Sequence, residues 1–125
     1  MTKLQIETNK APAAVGPYSQ GVSIGRTVYT SGQLPMKDQR LITEDVAEAA
    51  RASLANVAAV LEAGHASLAD VVKVTIYLSN MDDFPIVNAV YGDFFPKPYP
   101  ARSCVEVARL PLDAPLEIEA VAVVQ

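Results

Sequence analysis

A chain of 125 residues, half of them hydrophobic and with a formal net charge of −4, has the size of one domain with a modest core. Its ten lysines and arginines are scattered along the sequence, not gathered into a basic stripe, which disfavours binding to a nucleic-acid backbone. A single cysteine excludes an intrachain disulfide, and a single histidine leaves no metal-ligand cluster to read.

The opening Met1-Thr2-Lys3-Leu4 lacks the charged-then-apolar pattern of a signal peptide. No apolar run approaches the roughly 20 residues that cross a bilayer, so a cytoplasmic setting without membrane partners is expected. Lys3 to Glu7 alternates polar and apolar residues, as a short strand does. Two prolines and a glycine between Ala11 and Tyr18 predict an ordered loop. Val22 to Thr30 reads as a hairpin turning near Gly25-Arg26, with Ser31-Gly32-Gln33 closing its second strand. Pro35 to Leu41 reads as a polar connection.

Thr43 is the expected N-cap of a helix over 44–63, in which Val46, Ala50, Leu54, Val57 and Leu61 recur at helical spacing. Gly64 suits a left-handed helix end. Val71 to Leu78 predicts a strand, with Val72, Val74, Ile76 and Leu78 on one face and Val71, Lys73, Thr75 and Tyr77 on the other. Asp82 or Asp83 begins a second helix with Pro85 in its first turn and Phe84, Val87, Tyr91 and Phe94 as its buried stripe. Pro96, Pro98 and Pro100 end it, and two strands follow near 102–109 and 116–124.

The order β-β-β-α-β-α-β-β describes an α+β domain over 1–125, with two helices on one sheet face. In the last strand Ile118, Ala120, Ala122 and Val124 point one way, and Glu117, Glu119, Val121 and Val123 the other. Both faces carry apolar residues, yet two helices cover one. The other face is expected to pack on a second copy of the chain.

Seven short blocks carry a resemblance. Gly16-Pro17-Tyr18-Ser19-Gln20-Gly21, Thr30-Ser31-Gly32-Gln33, Val72-Lys73-Val74-Thr75, Asp83-Phe84, Val87-Asn88, Pro100-Ala101-Arg102-Ser103 and Leu116-Glu117-Ile118-Glu119 stand in the order of the RidA family, the YjgF-type reactive-intermediate deaminases. The resemblance spans essentially the whole chain. It implies a chorismate-mutase-like fold with a mixed sheet, and a homotrimer whose sheets form a central barrel with sites in the clefts between subunits. It also implies cofactor-free hydrolysis of 2-iminobutanoate, 2-iminopropanoate and their enamine tautomers to 2-oxo acids and ammonia. Such intermediates leave pyridoxal-phosphate-dependent dehydratases, which would be functional partners. Pro35–Leu41, without the glycine turn common there, and the short Phe95–Pro100 depart from the family pattern where the cleft mouth would be.

On that resemblance Arg102 is the expected clamp for the substrate carboxylate, because a guanidinium grips a planar carboxylate with two parallel hydrogen bonds. By residue type alone, an ion pair with Glu106 or Glu119 is the alternative. Glu117 would hold the attacking water and move protons, with Glu119 the competing acid on the same strand face. Tyr18 would project its hydroxyl from a rigid loop. Ser31 would hydrogen-bond substrate or water without acting as a nucleophile, for want of a histidine base. Gly32 would let the backbone approach the substrate, and Asn88 would line the pocket from the second helix. Cys104, on the same strand face as Arg102, is expected to line the site and not to attack: a nearby cation would lower its pKa, and burial as a small apolar residue is the alternative. His65 is expected to be exposed at a helix end. No metal or cofactor is called for. The competing functions are a non-catalytic 2-oxo acid binding module and a chaperone-like or RNA-cleaving protein.

Overall fold

The computed structural model describes residues 1–125. Strands β1 (Leu4–Ile6), β2 (Gly21–Ile24) and β3 (Thr27–Thr30) are followed by a small hairpin of β4 (Met36–Lys37) and β5 (Arg40–Leu41). Helix α1 (Val46–Ala63), strand β6 (Val71–Leu78), helix α2 (Phe84–Phe94) and strands β7 (Ala101–Glu106) and β8 (Leu116–Val123) complete the chain. The main sheet runs β1-β2-β3-β8-β6-β7. β7 lies parallel to β6, and every other neighbour is antiparallel. The crossover through α2 explains that one parallel pair, since parallel neighbours need a helix-length connection.

Both helices sit on one sheet face. Leu54, Val57, Val60 and Leu61 of α1 and Val87, Val90 and Tyr91 of α2 share a single buried cluster with Val74, Ile76, Leu116, Ile118 and Ala122. Along β8 every second residue is buried, from Leu116 to Ala122, while Glu117, Glu119, Val121 and Val123 face the uncovered side, as the alternation requires. That side also shows Tyr29 and Val105 well exposed. No helix is long and apolar enough to cross a membrane.

The structure corrects the sequence reading in five places. The segment Pro35–Leu41 is not a plain connection: it makes the β4–β5 hairpin, turning on Asp38 and Gln39 at φ 53° and 64° without a glycine. Helix α1 begins at Val46 with Asp45 as its N-cap, since Asp45 Oδ1 accepts from the Glu48 N–H at 3.1 Å. The left-handed residue at its end is His65, at φ 66°, whereas Gly64 lies at φ −94°. Gly64 instead packs closely: a Cβ there would come within 2.6 Å of Ile6 Cδ1, so Ile6 would have to shift to admit one. In β6 the pairing slips between Val71 and Lys73, and this bulge turns Val71 inward and leaves Val72 48% exposed. Strand β7 stops at Glu106 because its partner β6 stops at Leu78, opposite it.

Candidate functional site

The candidate residues fall into two groups, and the sheet separates them. The first gathers on the uncovered face. Gln33 exchanges two backbone hydrogen bonds with Ile118, N to O at 2.8 Å and O to N at 3.2 Å, which lays Gly32 against Glu117. A Cβ on Gly32 would collide with the Glu117 carboxylate, so a side chain there would displace that carboxylate from its place. Two buried polar residues of α1 fix this crossing. Ser53 Oγ donates to Gln33 O at 2.7 Å, and Asn56 Nδ2 donates to Leu34 O and Met36 O at 3.2 and 2.9 Å.

Ser31 Oγ donates to Ser19 O at 2.6 Å, which ties the strand end to the loop bearing Tyr18. The Ser31 proton is therefore committed within the chain, and only the oxygen lone pairs remain for a ligand. Behind that loop, the buried Gln20 accepts from Thr8 N at 2.7 Å and donates to Thr8 O and Pro12 O at 3.0 and 2.8 Å. Tyr18 projects with half its surface exposed, its hydroxyl 3.4 Å from the Val15 N–H. Residues 18, 31, 32 and 117 thus form one neighbourhood.

Glu117 titrates above the ordinary carboxylate range, first because burial penalises its charge and then because Glu119 repels it. Glu119 is itself held by Tyr77, whose hydroxyl donates to Oε1 at 3.1 Å. Tyr77 titrates high, through burial and then through the charge of Glu119. Removing one of the two causes should lower the other carboxyl's midpoint. Glu119→Gln is expected to shift the titration of Glu117 to lower pH, read from its side-chain carboxyl 13C resonance. An unchanged midpoint would contradict the coupling.

The second group lies on the helix side of edge strand β7. Arg102 pairs with the buried Val74 and Cys104 with the buried Ile76, so both side chains turn toward α2. Arg102 Nη1 donates to Asn88 Oδ1 at 2.8 Å, and its guanidinium carbon sits 4.7 Å from the Tyr91 ring centroid and 5.4 Å from that of Phe84. The ion pair with Glu106 or Glu119 does not form. Glu106 accepts from Met81 N at 2.8 Å, and Glu119 is on the opposite face. Both ion pairs of the chain, Arg51–Glu48 and Arg109–Asp113, leave Arg102 aside. Arg102 is consequently a fixed, partly buried cation with only a neutral partner. Burial pushes the Cys104 thiol up, and the charge of Arg102 offsets only part of that. The expectation of a lowered thiol pKa is thus corrected, and Cys104 is a poorer nucleophile than an ordinary thiol at neutral pH.

Glu117 pairs with Tyr77 on the uncovered side, two strands away from β7. Within one chain Arg102 and Glu117 therefore look out from opposite faces of the sheet and cannot hold one small molecule between them. A surface hollow between the β4–β5 hairpin and the start of α1 includes none of these residues. Sequence reasoning missed Gln20, Ser53, Asn56 and Tyr77, all of which position the candidates. It also missed the service of Phe84 and Tyr91 to Arg102. The available signal was the spacing of 84, 88 and 91, which puts Asn88 and both rings on one face of α2.

Comparison with known proteins adds independent evidence. Residues 8–124 match the family model described as Endoribonuclease L-PSP. A 2-iminobutanoate/2-iminopropanoate deaminase of Salmonella typhimurium is 51% identical over 122 residues, covering 94% of this chain and 95% of that protein. The crystal structure of the Escherichia coli YjgF gene product superposes with a TM-score of 0.93 at 47% identity, covering 98% of this chain and 99% of that one. Escherichia coli TdcF with bound serine superposes at 0.92 with 48% identity and the same coverage. The two-helix, mixed-sheet, chorismate-mutase-like fold implied by the resemblance is the fold these structures share with this chain.

Proposed function

The chain belongs to the endoribonuclease L-PSP family, in its RidA/YjgF-type branch, and from that premise we propose that it hydrolyses 2-iminobutanoate and 2-iminopropanoate to 2-oxo acids and ammonia. The observation that carries this reading is the un-neutralised Arg102, held by Asn88 with its charge free for an anion. The names of the relatives supply the reaction class.

We read the site as shared. The guanidinium on the helix side of β7 and the carboxylate on the uncovered face meet only when the β7 edge of one copy docks on the open face of another. A closed homotrimer, its sheets forming a central barrel, satisfies that geometry and covers the apolar residues Tyr29, Val121 and Val105. In this arrangement Arg102 clamps the substrate carboxylate. Glu117, beside Gly32, holds the water that attacks C2. As the C–O bond forms, the C=N π electrons move to nitrogen. Glu117 relays a proton from the added water to that nitrogen to give the carbinolamine; a second relay, from the carbinolamine hydroxyl to the amino nitrogen, forms the carbonyl as the C–N bond breaks, releasing ammonia and leaving the 2-oxo acid. The upward shift of Glu117, through burial and Glu119, suits a group that must both accept and return a proton. Tyr18, Ser31 and Cys104 line the cleft, and the reaction needs no redox step. A single RidA-like domain over 1–125, working in the cytoplasm beside pyridoxal-phosphate-dependent dehydratases, fits this chemistry. Glu117 and Glu119 on the open face argue against an RNA substrate, because they would repel phosphates.

The test couples a serine or threonine dehydratase to the purified protein and traps the imine with semicarbazide. Wild-type protein should lower the yield of semicarbazone while 2-oxo acid formation continues. Undiminished trapping would leave only the binding-module reading.

A further inference from the structure

We propose that Tyr91 and Phe84 are positioning residues: an aromatic platform on α2 that holds the Arg102 guanidinium in one orientation, so that recognition of the substrate carboxylate depends on these two rings. This deepens the reading of Arg102 as the carboxylate clamp and rests on it. An arginine on an edge strand has several rotatable bonds and, left alone, samples many orientations. Here Arg102 is restrained twice. Asn88 Oδ1 accepts from Nη1 at 2.8 Å, which fixes one corner of the guanidinium. The Tyr91 and Phe84 rings, with centroids 4.7 and 5.4 Å from its central carbon, attract the cation through their quadrupoles.

The two restraints are compatible with ligand binding. A guanidinium carries five N–H donors and Asn88 takes one of them, so contact with the rings leaves other N–H groups for a carboxylate. The platform is also rigid. Tyr91 is 5% exposed, and its ring packs on Phe95 with centroids 4.6 Å apart. The Tyr91 hydroxyl is buried and makes no hydrogen bond, so the ring and not the hydroxyl serves Arg102. Tyr91→Phe is therefore the conservative control, and Tyr91→Leu removes the platform while keeping an apolar side chain.

Two readouts decide the matter. The first is the order parameter of the Arg102 Nε–H in ligand-free protein, measured by 15N relaxation. It should stand near about 0.85 in wild-type and Tyr91→Phe protein and fall below about 0.6 in Tyr91→Leu. The second is the affinity for 2-oxobutanoate. It should weaken about tenfold in Tyr91→Leu, return in Tyr91→Phe, and show no further loss when Tyr91→Leu is added to Arg102→Ala. Arg102 staying as rigid in Tyr91→Leu as in wild type would overturn the proposal. So would an equal loss of affinity with and without Arg102, the mark of a general packing defect. Should Tyr91→Leu not fold, Phe84→Leu, at a less buried position, takes its place in both measurements. If wild-type protein fails to bind 2-oxobutanoate, the functional reading falls, while the relaxation measurement still decides whether the rings hold Arg102.

Discussion

Arg102→Ala protein is expected to lose imine hydrolysis by more than about 100-fold in kcat/KM, because the substrate loses a bidentate, charge-assisted contact in a partly desolvated place. The semicarbazide assay reads this directly, and 2-oxobutanoate binding should fall with it. The structure explains why the effect should be so large. No carboxylate of the chain neutralises Arg102, so its removal orphans no internal partner except the exposed Asn88. The folded chain should be little disturbed, and the loss should appear in function. Arg102→Lys should recover little of it, since an ammonium cannot grip a carboxylate with two parallel bonds. Arg102→Ala protein with full activity would remove the central support for the proposed function.

Mixing two inactive proteins should restore activity. Glu117→Gln keeps the shape of the side chain beside Gly32 but cannot relay a proton, so it should be as inactive as Arg102→Ala. In one chain these residues face opposite sides of the sheet, so the proposed site takes Arg102 from one copy and Glu117 from another. When the two variants are unfolded, mixed in equal amounts and refolded together, about one quarter of the sites receive both intact residues if subunits assort at random in a closed ring. The mixture should therefore show about one quarter of wild-type activity, against almost none for either variant refolded alone. A mixture as inactive as its components would contradict a site built between copies. The experiment also separates catalysis from binding, because Glu117→Gln protein should still bind 2-oxobutanoate through Arg102.

Much of this site is legible in the sequence, though unevenly. The blocks around residues 18, 31, 102 and 117 mark the chemical groups, and the alternation along β8 puts Glu117 on a face that two helices cannot cover. The positioning residues are not marked in that way. Gln20 acts through Thr8 and Pro12, Ser53 through Gln33, and Asn56 through Leu34 and Met36. Each reaches across at least eight residues of chain, and nothing in local spacing announces such a partner. Which effect prevails at the Cys104 thiol is hidden for a related reason. A neighbouring cation is visible in sequence, but the burial that outweighs it is a property of the packed strand.

By itself the sequence determined the order of the main-sheet strands and the two helices, the buried stripes of α1 and β8, much of that of α2, and the apolar residues on a sheet face that two helices leave uncovered. These follow from periodicity and from side-chain chemistry, which are local. The tertiary structure decided the bulge that turns Val71 inward, the close approach of Gly32 to Glu117 and of Gly64 to Ile6, and the rings beside Arg102. It also decided that Arg102 and Glu117 face opposite ways. That last point depends on the parallel register of β7 against β6 and on the antiparallel register of β8 beside it. Register arises from long-range pairing, and a shift of one residue would move every side chain of a strand to the other face.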